Sequence, residues 1–160
     1  INEDIKLIRV ENADEMFKET QKNLPSDIAI LTAAVSDFKV NKKNKTKIKK
    51  EEALTINLEK NIDILNYVSN HNSMRPKLVI GFAAETNDLD KNAISKLSKK
   101  NCDWIIANDV SNSNIGFNSD FNEVTIHYKN KKKKKEKLKR KRKSEIAEEI
   151  VDRIVTQING

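Results

Sequence analysis

The sequence holds only three glycines, Gly81, Gly116 and Gly160, too few for a glycine-rich phosphate cradle. It also lacks the dinucleotide fingerprint G-x-G-x-x-G, the G-x-x-x-x-G-K-[ST] loop, a nucleophile elbow and any metal-ligand spacing. A nucleotide bound here would need lysines, and donors from elsewhere, for its phosphates. Cys102 is the only cysteine, which excludes an internal disulfide and fits a reducing cytosol. Neither His71 nor His127 is near it in sequence to activate a thiolate, so Cys102 reads as a small buried residue. The longest nearly apolar run, 28–35, falls far short of the ~20 residues that cross a bilayer. The opening carries Glu3, Asp4, Glu11, Asp14 and Glu15, which excludes the apolar core of a secretory signal. A soluble, cytoplasmic protein is expected, and because the first residue is Ile1, a chain that begins partway through a longer one.

At 160 residues with 37% apolar content, the chain suits one domain with a single core. The net charge of +7 is local rather than general: 12 of the 31 basic residues, but one of the 24 acidic ones (Glu136), lie in 129–143. That segment reads as a solvated basic hairpin or loop. A second cluster, Lys39, Lys42, Lys43, Lys45, Lys47, Lys49 and Lys50, marks 38–52 as a lysine-rich flap between two apolar segments, placed to close over an anion. The plainer reading of both is a lysine-rich surface.

Periodicity predicts a strand at 5–10, then a helix to about Leu24 that opens on Asn12 with Glu15 three residues on and is closed by Pro25 and Ser26. The run 28–35 reads as a strand buried on both faces, with Asp37 just past its end. Strands follow at 54–58, 78–84, 103–107 and 124–128, with helices over 61–70 and 89–100. Ile146, Ile150, Ile154 and Ile158 form an apolar stripe on a terminal helix. This alternation predicts an α/β fold, a Rossmann-like, mostly parallel sheet with flanking helices and ligands beyond the carboxyl ends of the strands.

The strand exits Ala33-Ala34-Val35-Ser36-Asp37, Gly81-Phe82-Ala83-Ala84-Glu85-Thr86 and Ala107-Asn108-Asp109-Val110 therefore carry the candidate site. Their small residues admit a ligand to the backbone, or equally serve tight helix packing. Lys96 and Lys100, four apart, share a helix face that suits a polyphosphate as well as it suits solvent.

The same words, in order, resemble the phosphopantothenoylcysteine synthetase family: Ala33-Ala34-Val35-Ser36-Asp37-Phe38, Lys47-Ile48-Lys49-Lys50 and Asn61-Ile62-Asp63-Ile64-Leu65. Gly81-Phe82-Ala83-Ala84-Glu85-Thr86, Lys96 with Lys100-Asn101, Ala107-Asn108-Asp109-Val110 and Gly116-Phe117-Asn118-Ser119-Asp120 continue the match to the C-terminus. The resemblance implies a phosphopantothenate–cysteine ligase. Such a ligase activates 4'-phosphopantothenate as an acyl-cytidylate with release of pyrophosphate, and the amine of L-cysteine then displaces CMP. It implies that Ala33, Ala34 and Asp37 hold the cytidine. Lys47 would be the catalytic lysine on the triphosphate, with Ile62, Asp63, Ile64, Leu65, Phe82, Lys96 and Lys100 lining the rest of the CTP site. It further implies Mg2+ (or Mn2+) with CTP and a homodimer. The GFAAET word resembles the bacterial branch, which favours CTP over ATP. The family's first strand–turn–helix, with its Asn-x-Ser-Ser-Gly word, has no counterpart here. Nor has the FMN-dependent decarboxylase domain usually fused upstream, so the fold is expected to be N-terminally truncated: a single ligase domain over 1–160. The competing readings are a nucleic-acid module using the 129–143 run, which lacks interleaved aromatics, and an unrelated Rossmann-type nucleotide-binding protein, which the missing glycine fingerprint disfavours.

Overall fold

The computed structural model describes residues 4–41, 55–85, 87–109, 119–129 and 134–160. Helix α1 (Ala13–Lys22) starts where the Asn12 side chain accepts from the Glu15 amide at 3.0 Å, so Asn12 is its N-cap as the sequence suggests. The Glu15 carboxylate accepts from the Glu11 amide at 2.8 Å and from Asn12 Nδ2 at 2.7 Å.

The main sheet has the order β1-β4-β5-β6-β7, from β1 (Ile28–Leu31), β4 (Leu78–Glu85), β5 (Trp104–Asp109), β6 (Phe121–Tyr128) and β7 (Lys135–Arg142). β1, β4 and β5 pair in parallel, while β6 is antiparallel to both its neighbours. Four of the five strands thus run the same way, the mostly parallel α/β sheet read from the sequence. A separate antiparallel ribbon joins β2 (Phe38–Val40) to β3 (Leu58–Lys60).

Helices cover both faces, and successive residues of β4 explain its unbroken apolar run. Leu78 and Ile80 point into the cluster under α4 (Lys143–Asn159), with Trp104, Ile106, Val124, Ile126, Leu138, Ile146, Ile150 and Ile154. Val79 and Ala83 point the other way, against α2 (Ile64–Ser69) and α3 (Leu89–Lys100) through Ile64, Val68, Ala93 and Leu97. A strand covered on both sides has no face left for polar residues. Cys102 lies in this second cluster, fully buried, and burial pushes its thiol up to about 11, so it is the inert packing residue expected.

Several sequence expectations are corrected. Residues 5–10 form no strand, because no neighbouring strand among the described residues pairs with them, and Ile5 and Leu7 lie exposed. β1 stops at Leu31 instead of 35 and is not buried on both faces: it pairs only with β4 among the described residues, leaving Ile30 46% exposed. The strand expected at 54–58 is β3, beginning at Leu58, and the helix expected from Asn61 starts at Ile64 with Asp63 as its cap. Ile158, fourth in the α4 stripe, is half exposed. The segment read as a solvated basic hairpin pairs antiparallel with β6 as β7 and is exposed at six of that strand's eight residues, while Leu138, 4% exposed, ties it into the core.

His127 of β6 is buried, with Nε2 3.3 Å from Asp90 Oδ1, and Asp90 in turn pairs with Lys135 at 2.6 Å. Burial pushes the imidazole below its ordinary 6.5; Asp90 opposes that shift and Lys135 adds to it. The unfolded chain therefore takes up a proton as pH falls through about 6.5 while the folded chain resists it. This contribution to stability is complete above that value and declines as pH falls below it. Asp90, held below its ordinary 3.8 by Lys135, keeps its charge throughout that window. Urea unfolding at pH 7.5 and 5.5 checks the expectation: acidification should destabilise wild type more than a His127→Gln variant. Equal losses would assign the slope to other groups.

Candidate functional site

Gly81 of β4 lies directly beneath Leu65 and Ile105, two residues that line the principal cleft. A Cβ added there would lie 2.5 Å from Leu65 Cδ2 and 3.0 Å from Ile105 Cδ1, so any other residue at 81 would have to displace the end of the Leu65 side chain on α2. The segment before α2 lies beside the chain leaving β1. Asn61 locks the two together: its amide donates to the Asp37 carbonyl at 2.9 Å and its Nδ2 to the Ser36 carbonyl at 2.7 Å.

The cleft that results encloses about 800 Å³. One wall is the segment after β1, with Ala33, Ser36 and Asp37; another is Ile62, Asp63, Ile64 and Leu65. Phe82 and Glu85 come from β4, and Asn92, Ser95, Lys96, Lys99 and Lys100 from the face of α3. Residues far apart in sequence thus meet on one concave surface, rich in ammonium groups on one side and in exposed backbone on the other.

Of the residues singled out from the sequence, Ala33, Asp37, Ile62, Asp63, Ile64, Leu65, Phe82, Lys96 and Lys100 all line this cleft. Ala34 does not; it faces an adjoining cavity of about 660 Å³ that shares Met16, Ala33, Val35, Ser36 and Asn61 with the first. Asp37 is six residues past the end of β1 rather than at its exit, and reaches the cleft because the intervening segment leads on to β2. Lys47 lies outside the described residues, as does Val110. Of the third strand exit, Ala107 is fully buried in the core, and neither it nor Asn108 lines the cleft.

Neither Lys96 nor Lys100 is a free ammonium. Lys96 Nζ is 2.6 Å from Glu85 Oε1, and Lys100 pairs with Asp63, whose other oxygen caps α2 by accepting the Asn66 amide at 2.8 Å. The pairing with Asp63 and Glu85 is invisible in a sequence, since each acid sits on a different element from its lysine. Sequence reasoning also missed Lys99, Asn92 and Ser95; their spacing on the same face as Lys96 is the signal that would have found them. Among the described residues no group of three or more His, Cys, Asp or Glu could hold a metal ion.

Residues 1–158 match the family described as "DNA/pantothenate metabolism flavoprotein C-terminal domain". The chain is 42% identical over 105 residues to the coenzyme A biosynthesis bifunctional protein CoaBC of Bacillus subtilis, covering 65% of this chain and 25% of that one. It is 41% identical over 153 residues to the protein of the same name from Borreliella burgdorferi, covering 93% and 37%. The chain thus spans between a quarter and two fifths of these relatives. Among solved structures, a C-terminal domain of a coenzyme A biosynthesis bifunctional protein CoaBC superposes with a TM-score of 0.71 at 30% identity, over 95% of this chain and 65% of that one.

Proposed function

The chain belongs to the DNA/pantothenate metabolism flavoprotein C-terminal domain family, and from that premise we propose that it forms the ligase part of an enzyme of coenzyme A biosynthesis. The reaction is the CTP-dependent joining of 4'-phosphopantothenate to L-cysteine. One observation supports this reading above all. Ala33 and Asp37, Ile62 to Leu65, Phe82, and Lys96 with Lys100 share one cleft, although they come from four separated stretches of sequence.

In the first step a carboxylate oxygen of 4'-phosphopantothenate attacks the α-phosphorus of CTP, and pyrophosphate leaves with the electrons of the broken P–O bond. The amine of cysteine then attacks the acyl carbon, CMP departs, and the amine proton passes to solvent. Lys96, Lys99 and Lys100 supply the cations along α3 for the phosphates. Asp37 and the backbone at Ala33 suit the nucleoside, and Lys47 neutralises the charge that builds on the phosphoryl oxygens. That last role raises the rate because the charge is greater in the transition state than in the bound ground state. FMN has no part in this reaction, and a homodimer belongs to the same proposal.

The nucleic-acid alternative draws less support. Three lysines of the basic segment, Lys135, Lys137 and Lys141, are already paired with Asp90, Glu123 and Glu149. An unrelated Rossmann-type protein is set aside by the family match. The decisive assay incubates the purified full-length protein with 4'-phosphopantothenate, cysteine and either CTP or ATP. Product, CMP and pyrophosphate should form with CTP; product with ATP and none with CTP would overturn the assignment.

A further inference from the structure

We propose that Glu85 is a positioning residue that presets the Lys96 ammonium for a polyphosphate, an inference that rests on the nucleotide role just given. Glu85 is the last residue of β4, and its side chain is 13% exposed against 44% for that of Lys96. Its Oε2 accepts from Asn92 Nδ2 at 3.0 Å, and the same Nδ2 donates to the Asn87 carbonyl at 2.9 Å. One amide thus ties the end of the strand to the turn before α3 and fixes the carboxylate between them. Oε1 is buried and meets Lys96 Nζ at 2.6 Å, as an ion pair rather than an aligned hydrogen bond.

The carboxylate is therefore the anchor and the lysine, on its flexible four-carbon stem, the member that is held. The pair also joins two different elements across the cleft wall, unlike the i,i+4 pairs that decorate a helix surface. Lys99, in the same cleft, has no carboxylate partner among the described residues. An ammonium already fixed at the ligand's position loses less freedom on binding, which favours affinity without any added contact. The opposite role is physically open to the same geometry. A carboxylate that merely competes with phosphate for the ammonium would weaken nucleotide binding, and its removal would strengthen it.

The two roles differ in sign, and calorimetric titration of the full-length protein with CTP separates them. Lys96→Ala should weaken CTP binding about tenfold and Glu85→Gln about fivefold, with the double variant within about twofold of Lys96→Ala alone. Asn92→Ala, which loosens the carboxylate without removing it, should weaken binding by about twofold and guards against a Glu85 variant that fails to fold. CTP binding by Glu85→Gln that equals or exceeds wild type overturns the inference. So does a double variant whose loss is the product of the two single losses. In both cases the wild type still binds CTP and the nucleotide reading stands. A wild type that does not bind CTP overturns that reading instead, and this inference with it.

Discussion

Lys47→Ala is expected to cut ligation about a hundredfold, a loss of ~3 kcal/mol in transition-state stabilisation, while the KM for CTP changes much less. The split follows from where the charge appears. In the proposed reaction, attack on the α-phosphorus increases the negative charge on its oxygens, so an ammonium bound to them would interact more strongly in the transition state than in the ground state. Lys47 belongs to the stretch that links β2 to β3, and the foot of that ribbon is pinned to the cleft wall by the Asn61 amide on the Asp37 carbonyl. Initial rates of pyrophosphate release across a range of CTP concentrations measure both constants. A turnover number equal to that of wild type removes Lys47 from the mechanism.

The second large effect concerns stability. Leu138→Ala should destabilise the fold by about 2–5 kcal/mol, the range for a buried leucine truncated in a packed core. Leu138 is packed against Val124, Ile126 and the α4 isoleucines, which is why so basic a strand stays on the sheet. Its neighbour Lys139 is exposed, and Lys139→Ala should change stability by less than about 0.5 kcal/mol. Urea unfolding of the two variants gives the contrast directly. Similar small losses in both would mean that β7 contributes no core.

Strong periodicity was readable from the sequence. The Leu89, Ala93, Leu97 spacing marks the inner face of α3, whose observed bounds are those expected, and Ile146, Ile150 and Ile154 mark the buried stripe of α4. β7 escaped because its inward positions present a single apolar residue, Leu138, beside Glu136, which Arg153 neutralises at 2.5 Å. No alternation of apolar and polar residues survives that substitution of a paired charge for a hydrophobe. The length of β1 differs for another reason: Thr32 to Val35 are compatible with a strand, but the chain leaves the sheet after Leu31 although β4 runs on to Glu85, and apolar residues alone do not mark that departure. In the cleft, chain order and the ordered words placed the lysines, while their carboxylate partners depend on which elements become neighbours in three dimensions. Glu85 and Asp63 were visible as residues and not as ion pairs.

Six of the eight residues of β7 are lysine or arginine, and among the described residues this strand has no neighbour on its outer side. A second copy offering the same strand would bring its exposed basic side chains against those of the first. Stacking of molecules into a continuous ribbon is thereby opposed at this border even at high protein concentration.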